Sequence, residues 1–286
     1  MLADYHIHLE RGPLTREWLL RFVDMARARG ISEIGISEHG TRFREFKALM
    51  APLKLENSPF SHIRQWYSND FKDALEDYVR LIVEAKALGA PVKLALEVDY
   101  IPGAEDALRE LIAGYPFDYI IGSVHFLGDW PVDFFPQDWA GRDVDEVYLE
   151  YFSTLAQAAR SGLFDVMAHP DLVKLFGHMP GHRHEDVNAA VSECIRQVAM
   201  SGAAVEVSTA GLRRPAGEMY PAPAFLKACA RAGIPITLAS DAHVPEEVGF
   251  KLGEAARYAR ECGYRSFTTF EGRKARSNVF DEETIT

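Results

Sequence analysis

Leu2-Ala-Asp-Tyr-His-Ile-His8 reads as a β-strand that carries two imidazoles to its carboxyl end. Side chains at i and i+2 of an extended segment lie on one face, so His6 and His8 can grip one cation together. A lone His-x-His pair is common, and a packed or surface role explains it equally well. What separates the two readings is whether other strands also end in ligands.

Working outward, apolar residues at Leu19, Leu20, Phe22, Val23 and Ala26 give a helical period over 14–29, with Gly30 as its stop. A β-rich run over 31–37 then meets Glu38-His39-Gly40, and a helix over 71–88 closed by Gly89 leads into the strand Val92 to Glu97. The alternation continues with a helix over 104–113 and a strand over 117–124 meeting His125, then a helix over 144–160 and a strand over 164–168 meeting His169. A helix over 185–200 precedes a strand over 204–207, and a helix over 222–231 precedes a strand over 235–240 meeting Asp241-Ala-His243. A helix over 246–260 and a closing strand over 265–270 end the pattern.

Strands alternating with helices through short Gly-bearing turns imply parallel βαβ units. The expected fold is a closed or nearly closed α/β barrel of seven units, a single domain over 1–272, with a polar, loosely held tail over 273–286. Two intervals, 41–70 and 126–143, break the spacing, and long connections after barrel strands are usually lids.

A net charge of −11 argues against a polyanion binder, which needs a broad basic surface, so any phosphate should be small and held locally. Cys194, Cys229 and Cys262 show no CxxC spacing and fall in helix-like segments, which suggests reduced packing thiols in a cytoplasm. No basic-then-apolar leader pattern opens the sequence, and no run reaches the roughly 18 apolar residues of a membrane span. The expectation is a soluble cytoplasmic protein with no nucleic-acid or membrane partner; a homo-oligomer is left open.

Every strand end placed by periodicity, except that near Val207, carries a metal-competent group: His6 and His8, His39, Glu97, His125, His169, then Asp241 and His243. A parallel barrel brings those ends to one rim. Mixed imidazole and carboxylate ligation suits zinc, iron or manganese rather than calcium or magnesium. Eight ligands are too many for one ion, but a carboxylate such as Glu97 can bridge two, and adjacent dications can hold a hydroxide nucleophile between them. Two ions against Glu97, Asp241 and one hydroxide leave about +1, and a third ion about +3, enough to attract a phosphate dianion to an acidic protein.

The set His6-x-His8, His39, Glu97, Gly122-Ser-Val-His125, His169 and Ser240-Asp-Ala-His243 resembles the polymerase-and-histidinol-phosphatase (PHP) superfamily, distorted seven-stranded βα barrels that act as metal-dependent phosphoesterases. The likeness runs from Asp4 to about Phe250. Tyr115-Pro-Phe-Asp-Tyr-Ile-Ile-Gly-Ser-Val-His125, and Ser208-Thr-Ala-Gly-Leu-Arg-Arg-Pro215 with Tyr220-Pro-Ala-Pro223, resemble its histidinol-phosphate phosphatase branch and are the more specific strings. The resemblance implies a first metal at His6, His8, Glu97 and Asp241, a second at Glu97, His125 and His169, and a third served by His39 and His243. The mechanism expected on this set is attack by a metal-bound hydroxide held through Glu97, His169 and Asp241, with a metal-bound water, or His243 if the third metal is absent, as proton donor to the leaving group. One departure stands out: the family supplies a His or Asp shortly after the first pair, where this chain reads Leu9-Glu-Arg-Gly-Pro-Leu-Thr15, so Glu10 substitutes or the third site is weak.

For substrate, Arg213 is the first choice of phosphate ligand and Arg214 the second, since adjacent guanidiniums at a rim suit bidentate contacts. Ser123 shares the face of His125; Arg42 and Arg44 follow His39; His62, Arg64, Trp66, Tyr67 and Asp70 lie in the first insertion, with Trp66, Tyr67 and Asp70 a wall for a cationic leaving group. His178, His182 and His184 read as a surface loop. Three functions compete: a phosphatase for L-histidinol phosphate, a PHP phosphoesterase for a nucleotide or sugar phosphate, and a non-catalytic barrel. Structural zinc sites are usually closed and Cys-rich, which this rim is not. An amidohydrolase-type barrel would want a bridging lysine, and no lysine stands at a strand end.

Overall fold

Seven short strands pair side by side, all parallel, in a computed structural model that describes residues 2–280. They are β1 (Ala3–Ile7), β2 (Glu33–His39), β3 (Val92–Asp99), β4 (Tyr119–Ser123), β7 (Val166–Met167), β8 (Ala204–Ser208) and β9 (Ile236–Ala239), in that order around the sheet. The first and last meet through a parallel bridge between Ile7 and Ala242, where the His8 N–H donates to the Ala242 carbonyl at 2.8 Å and the Ala242 N–H to the His6 carbonyl at 3.2 Å. The α/β barrel expected from the alternation is therefore closed by one seam, directly beside His6, His8 and Asp241.

Helices α1 (Arg16–Ala28), α3 (Leu75–Ala87), α4 (Glu105–Ala113), α5 (Val144–Arg160), α6 (His184–Ser201), α7 (Pro223–Arg231) and α8 (Leu252–Glu261) join the strands, and α2 (Ser61–Asn69) lies within the first insertion. Their starts have local causes: the Thr15 hydroxyl accepts from the Trp18 N–H, and the Asp143 carboxylate from the Asp145 and Glu146 N–H groups. Inside the barrel, below the ligands, the Tyr5 and Tyr119 rings stack at 4.8 Å, and the Tyr119 hydroxyl donates to the Tyr5 carbonyl at 2.7 Å. Gly35 is required there, because a Cβ would stand 1.6 Å from the Tyr119 hydroxyl oxygen.

The carboxyl-terminal expectations need correction. Residues 265–270 do not close the barrel: β10 (Ser266–Glu271) pairs antiparallel with β11 (Lys274–Val279), around a two-residue turn with φ of +53° at Gly272 and +63° at Arg273. Phe270 from this hairpin stacks on Tyr119 at 5.6 Å, so it plugs the barrel floor. The expected loose tail is thus a strand over 274–279; its last six positions, 281–286, lie outside the described residues. The helix expected over 246–260 starts only at Leu252, because Gly249 (φ +68°) turns its N–H onto the buried Asp4 carboxylate at 2.7 Å.

The two insertions pack against each other. The first is mostly 3-10 turns and α2; the second holds the small hairpin β5 (Phe126–Leu127) and β6 (Trp130–Pro131) and a 3-10 turn over Pro136–Trp139. His62 pairs with Asp138 at 2.9 Å, and Trp66 packs on Phe126 and Phe134 with ring separations of 5.6 and 5.3 Å. All three cysteines are free and buried. No described helix is long and apolar enough to cross a membrane.

Candidate metal centre

All strands but β8 deliver a polar side chain where the apolar run stops, and five of the other seven residues predicted as ligands face Glu97, which is buried near the end of β3. Its two carboxylate oxygens divide them. Oε2 faces His39 Nδ1 at 2.8 Å, His6 Nε2 at 3.3 Å and His8 Nε2 at 3.7 Å. Oε1 faces His169 Nε2 at 3.1 Å and His125 Nε2 at 3.7 Å. Asp241 Oδ1 completes the first side at 3.2 Å from His8 Nε2 and 3.9 Å from His6 Nε2. Three sets of ligand atoms lie within 4.8 Å of one another: His6, His8 and Glu97; Glu97, His125 and His169; and His8, His39 and His243. Glu10 reaches the third set, 3.7 Å from His39 Nε2 and 3.4 Å from His243 Nε2. His8 thus belongs to the third set as well as the first.

These groups fit a metal by their unmet valence. His6 Nε2 and His8 Nε2, the nitrogens turned toward Glu97 and Asp241, are buried without a hydrogen-bond partner among the described residues, a state that is costly for polar atoms unless a ligand meets them. Burial alone would raise the Glu97 carboxyl, but His6, His125 and His39 hold it well below its ordinary value, and His6 and His243 do the same for Asp241. Glu97 and Glu10 overcome burial to push His39 up to about 10. Burial brings His243 down to about 4, against the pull of Asp241 and Glu10.

Four carboxylates missed in the sequence hold the ligands. Glu206 Oε2 pairs with His6 Nδ1 at 2.6 Å, and its Oε1 accepts from the His169 N–H at 3.3 Å. Asp99 accepts from the His125 ring at 2.9 Å, and Glu38 stands 3.7 Å from His8 Nδ1 while accepting from the Leu9 N–H at 3.0 Å. Asp4 anchors the Ser240 N–H at 2.8 Å. Such partners fix ring orientation and tautomer. The signal for Glu206 is its place as the one charged residue within Ala204-Val-Glu-Val-Ser208, in mid-strand rather than at a strand end. Two ligands also sit on left-handed backbone, His169 at φ +22° and Asp241 at φ +53°, a conformation that concentrates at functional sites.

The substrate expectations separate. A cavity opens beside the predicted ligands and is lined by Arg214, Tyr220, Asp133, Leu172, Leu175 and Ala210 with His39, Glu97, His125, His169, Asp241 and His243. Arg214 faces it; Arg213 is turned away, its Nη2 donating to the Ser240 and Asp241 carbonyls at 2.8 and 3.0 Å. The second choice, Arg214, rather than the first thus faces the cavity: Arg213 ends the 3-10 turn Ala210–Arg213, and Arg214 follows it on extended backbone. Arg42 is likewise committed, to Glu38 at 2.7 Å and Asp73 at 2.6 Å. Ser123 is buried with its hydroxyl unpaired and does not line the cavity, and Trp66 is spent on the aromatic contacts between the insertions. Asp70 lines a separate groove with Glu10 and His39. Arg44 and Arg64 bond backbone carbonyls of Lys72 and Ser58, Tyr67 lies under Lys47, and His178 stacks on Trp139 at 4.6 Å; His182 and His184 are exposed.

Comparison with known proteins agrees with this geometry. The chain is 38% identical over 218 residues to a probable histidinol-phosphatase of Deinococcus radiodurans, covering 73% of this chain and 82% of that protein. It is 26% identical to a histidinol-phosphatase of Bacillus subtilis, covering 86% and 95%. Its fold matches the crystal structure of the histidinol phosphate phosphatase of Lactococcus lactis, complexed with zinc, L-histidinol and phosphate, at a TM-score of 0.74 and 22% identity, over 96% of this chain and 98% of that one. The PHP domain family profile matches residues 4–210, and with that span, most of the chain, this protein belongs to the PHP domain family.

Proposed function

We propose that the protein is a metal-dependent phosphomonoesterase that hydrolyses L-histidinol phosphate to L-histidinol and phosphate, a reaction of histidine biosynthesis. The observation that carries the reaction class is the split of Glu97, one oxygen toward His6, His8 and His39 and the other toward His125 and His169. The choice of leaving group is supported by the names of the relatives at 38% and 26% identity.

In this reading His6, His8, Glu97 and Asp241 hold one divalent ion, and Glu97, His125 and His169 a second. His8, His39 and His243, with Glu10 in the place of the family's usual ligand, hold a third. Zinc, iron and manganese all suit such a set. When bound, the ions supply Lewis acidity toward the phosphoryl oxygens and activate water. The chain's own share is positioning: Arg214 binds the phosphoryl group with two parallel donors, and Glu206 and Asp99 keep the His6 and His125 rings aimed.

The test is a steady-state panel of L-histidinol phosphate, mononucleotides and sugar phosphates, on protein stripped of metal and reloaded with zinc, manganese or iron. Metal-dependent turnover with a preference of at least about tenfold for L-histidinol phosphate is expected, a difference of about 1.4 kcal/mol in transition-state binding. Preference for another ester moves the assignment to that substrate; equal turnover without metal removes the reaction class.

A further inference from the structure

Two side chains in the cavity wall each keep a buried polar atom without a hydrogen-bond partner among the described residues, and neither belongs to a metal-ligand set. Asp133, on the connection after β6, lines the cavity with its Oδ1 buried and unbonded. It is held there by its neighbour, since the Val132 N–H donates to the His125 carbonyl at 2.8 Å. Tyr220, paired to Ser208 at the end of β8, lines the same cavity with its hydroxyl buried and unbonded. Keeping an acceptor and a hydroxyl dry and unpaired is costly, and both facing one cavity points to a ligand that bonds them.

We propose that Asp133 recognises the ammonium group of the leaving alcohol, with the Tyr220 hydroxyl as a second acceptor. The proposal rests on L-histidinol phosphate as substrate. In that molecule the carbon bearing the amine is bonded directly to the carbinol carbon, so the ammonium enters the cavity with the phosphoryl group. An ammonium has three donors and no acceptor, and requires oxygens around it. Glu97 and Asp241 are committed to imidazoles, and Arg214 is itself a cation, which leaves Asp133 as the uncommitted anion of the wall. A cation beside the Asp133 carboxyl favours its ionised form and makes the contact a charge-assisted hydrogen bond. A neutral alcohol gains nothing from it.

The test compares wild-type, Asp133→Asn and Tyr220→Phe holoenzymes on three esters: L-histidinol phosphate, its deamino analogue 3-(imidazol-4-yl)propyl phosphate, and 4-nitrophenyl phosphate, with metal content measured for each protein. Asp133→Asn is expected to lose about 10- to 150-fold in kcat/KM on the aminated ester alone, to keep its metal, and to leave the other two esters within about threefold; Tyr220→Phe shows the same selectivity with a smaller loss. A loss on both alkyl esters but not on the aryl ester would make Asp133 a proton donor and overturn the proposal, as would an equal loss on all three or no loss at all. A wild-type enzyme inactive on L-histidinol phosphate yet active on other esters removes the substrate assignment, and the proposal with it.

Discussion

Replacing Glu206 by Gln probes the site without touching a metal ligand. The carboxylate serves two donors at once, the His6 ring at 2.6 Å and the His169 backbone N–H at 3.3 Å. A carboxamide has one acceptor oxygen, so it satisfies one of them. If the oxygen stays on His6, the amide nitrogen meets the His169 N–H and leaves a buried donor unpaired, at about 1–3 kcal/mol. If the amide nitrogen turns to His6, the ring must accept at Nδ1 and carry its proton on Nε2, the nitrogen 3.3 Å from Glu97 Oε2. That proton blocks the lone pair a cation needs. Either outcome weakens metal binding, and losing such a partner typically costs 10- to 100-fold in affinity, about 1.4–2.8 kcal/mol. The assay is zinc competition against a fluorescent chelator, with a thermal melt of metal-free protein alongside. Wild-type affinity in a variant that melts normally would refute the assignment of Glu206 as the group that orients His6.

Three further outcomes follow from the same contacts. Arg214→Met should weaken inhibition by inorganic phosphate about 10- to 150-fold with metal content unchanged, whereas Arg213→Met, which frees the Ser240 and Asp241 carbonyls, should lower zinc affinity in the chelator assay. Gly35→Ala places a methyl 1.6 Å from the Tyr119 hydroxyl oxygen and should lower unfolding free energy by about 1–3 kcal/mol through overpacking, read from the urea midpoint, far from the metals. Burial raises all three thiols, Cys229 to about 12, so the native protein should react negligibly with an aromatic disulfide reagent near pH 8, and three thiols should titrate once it is denatured.

The sequence made visible what repeats and hid what turns back. The period of apolar residues places α5 at Val144–Arg160, the bounds expected from the pattern, because one stripe of the helix is buried and nothing competes with it. The ligands were legible because a polar residue ending an apolar β run has one place to go in a parallel barrel, the rim. Glu206 hid in mid-strand, where a charge is affordable only against His6 and the His169 N–H, partners far away in sequence. Asp133 lies in a connection with no period to read, and the second strand of the hairpin, over 274–279, reads as a tail because only β10 has an apolar face. Arg213 and Arg214 show the limit most sharply: identical neighbours in sequence, one binds backbone and the other faces the cavity.

The barrel seam and the metal centre are one piece of structure. His6 and His8 come from β1 and Asp241 and His243 follow β9, so the closing bridge between Ile7 and Ala242 lies between ligands contributed by the two ends of the sheet. Only one bridge closes it, a weak joint by backbone bonding alone, and Asp241 sits there at φ +53°, a strain of about 1–3 kcal/mol for a non-glycine residue. Three tethers keep the loop in that conformation: Asp4 on the Ser240 N–H, Arg213 on the Ser240 and Asp241 carbonyls, and the Ala242 N–H on the His6 carbonyl. His6, His8 and Asp241 meet across the same joint, so in the proposed reading a cation held by them would add a fourth tether between the two ends of the sheet, and part of its binding energy would appear as closure of the barrel.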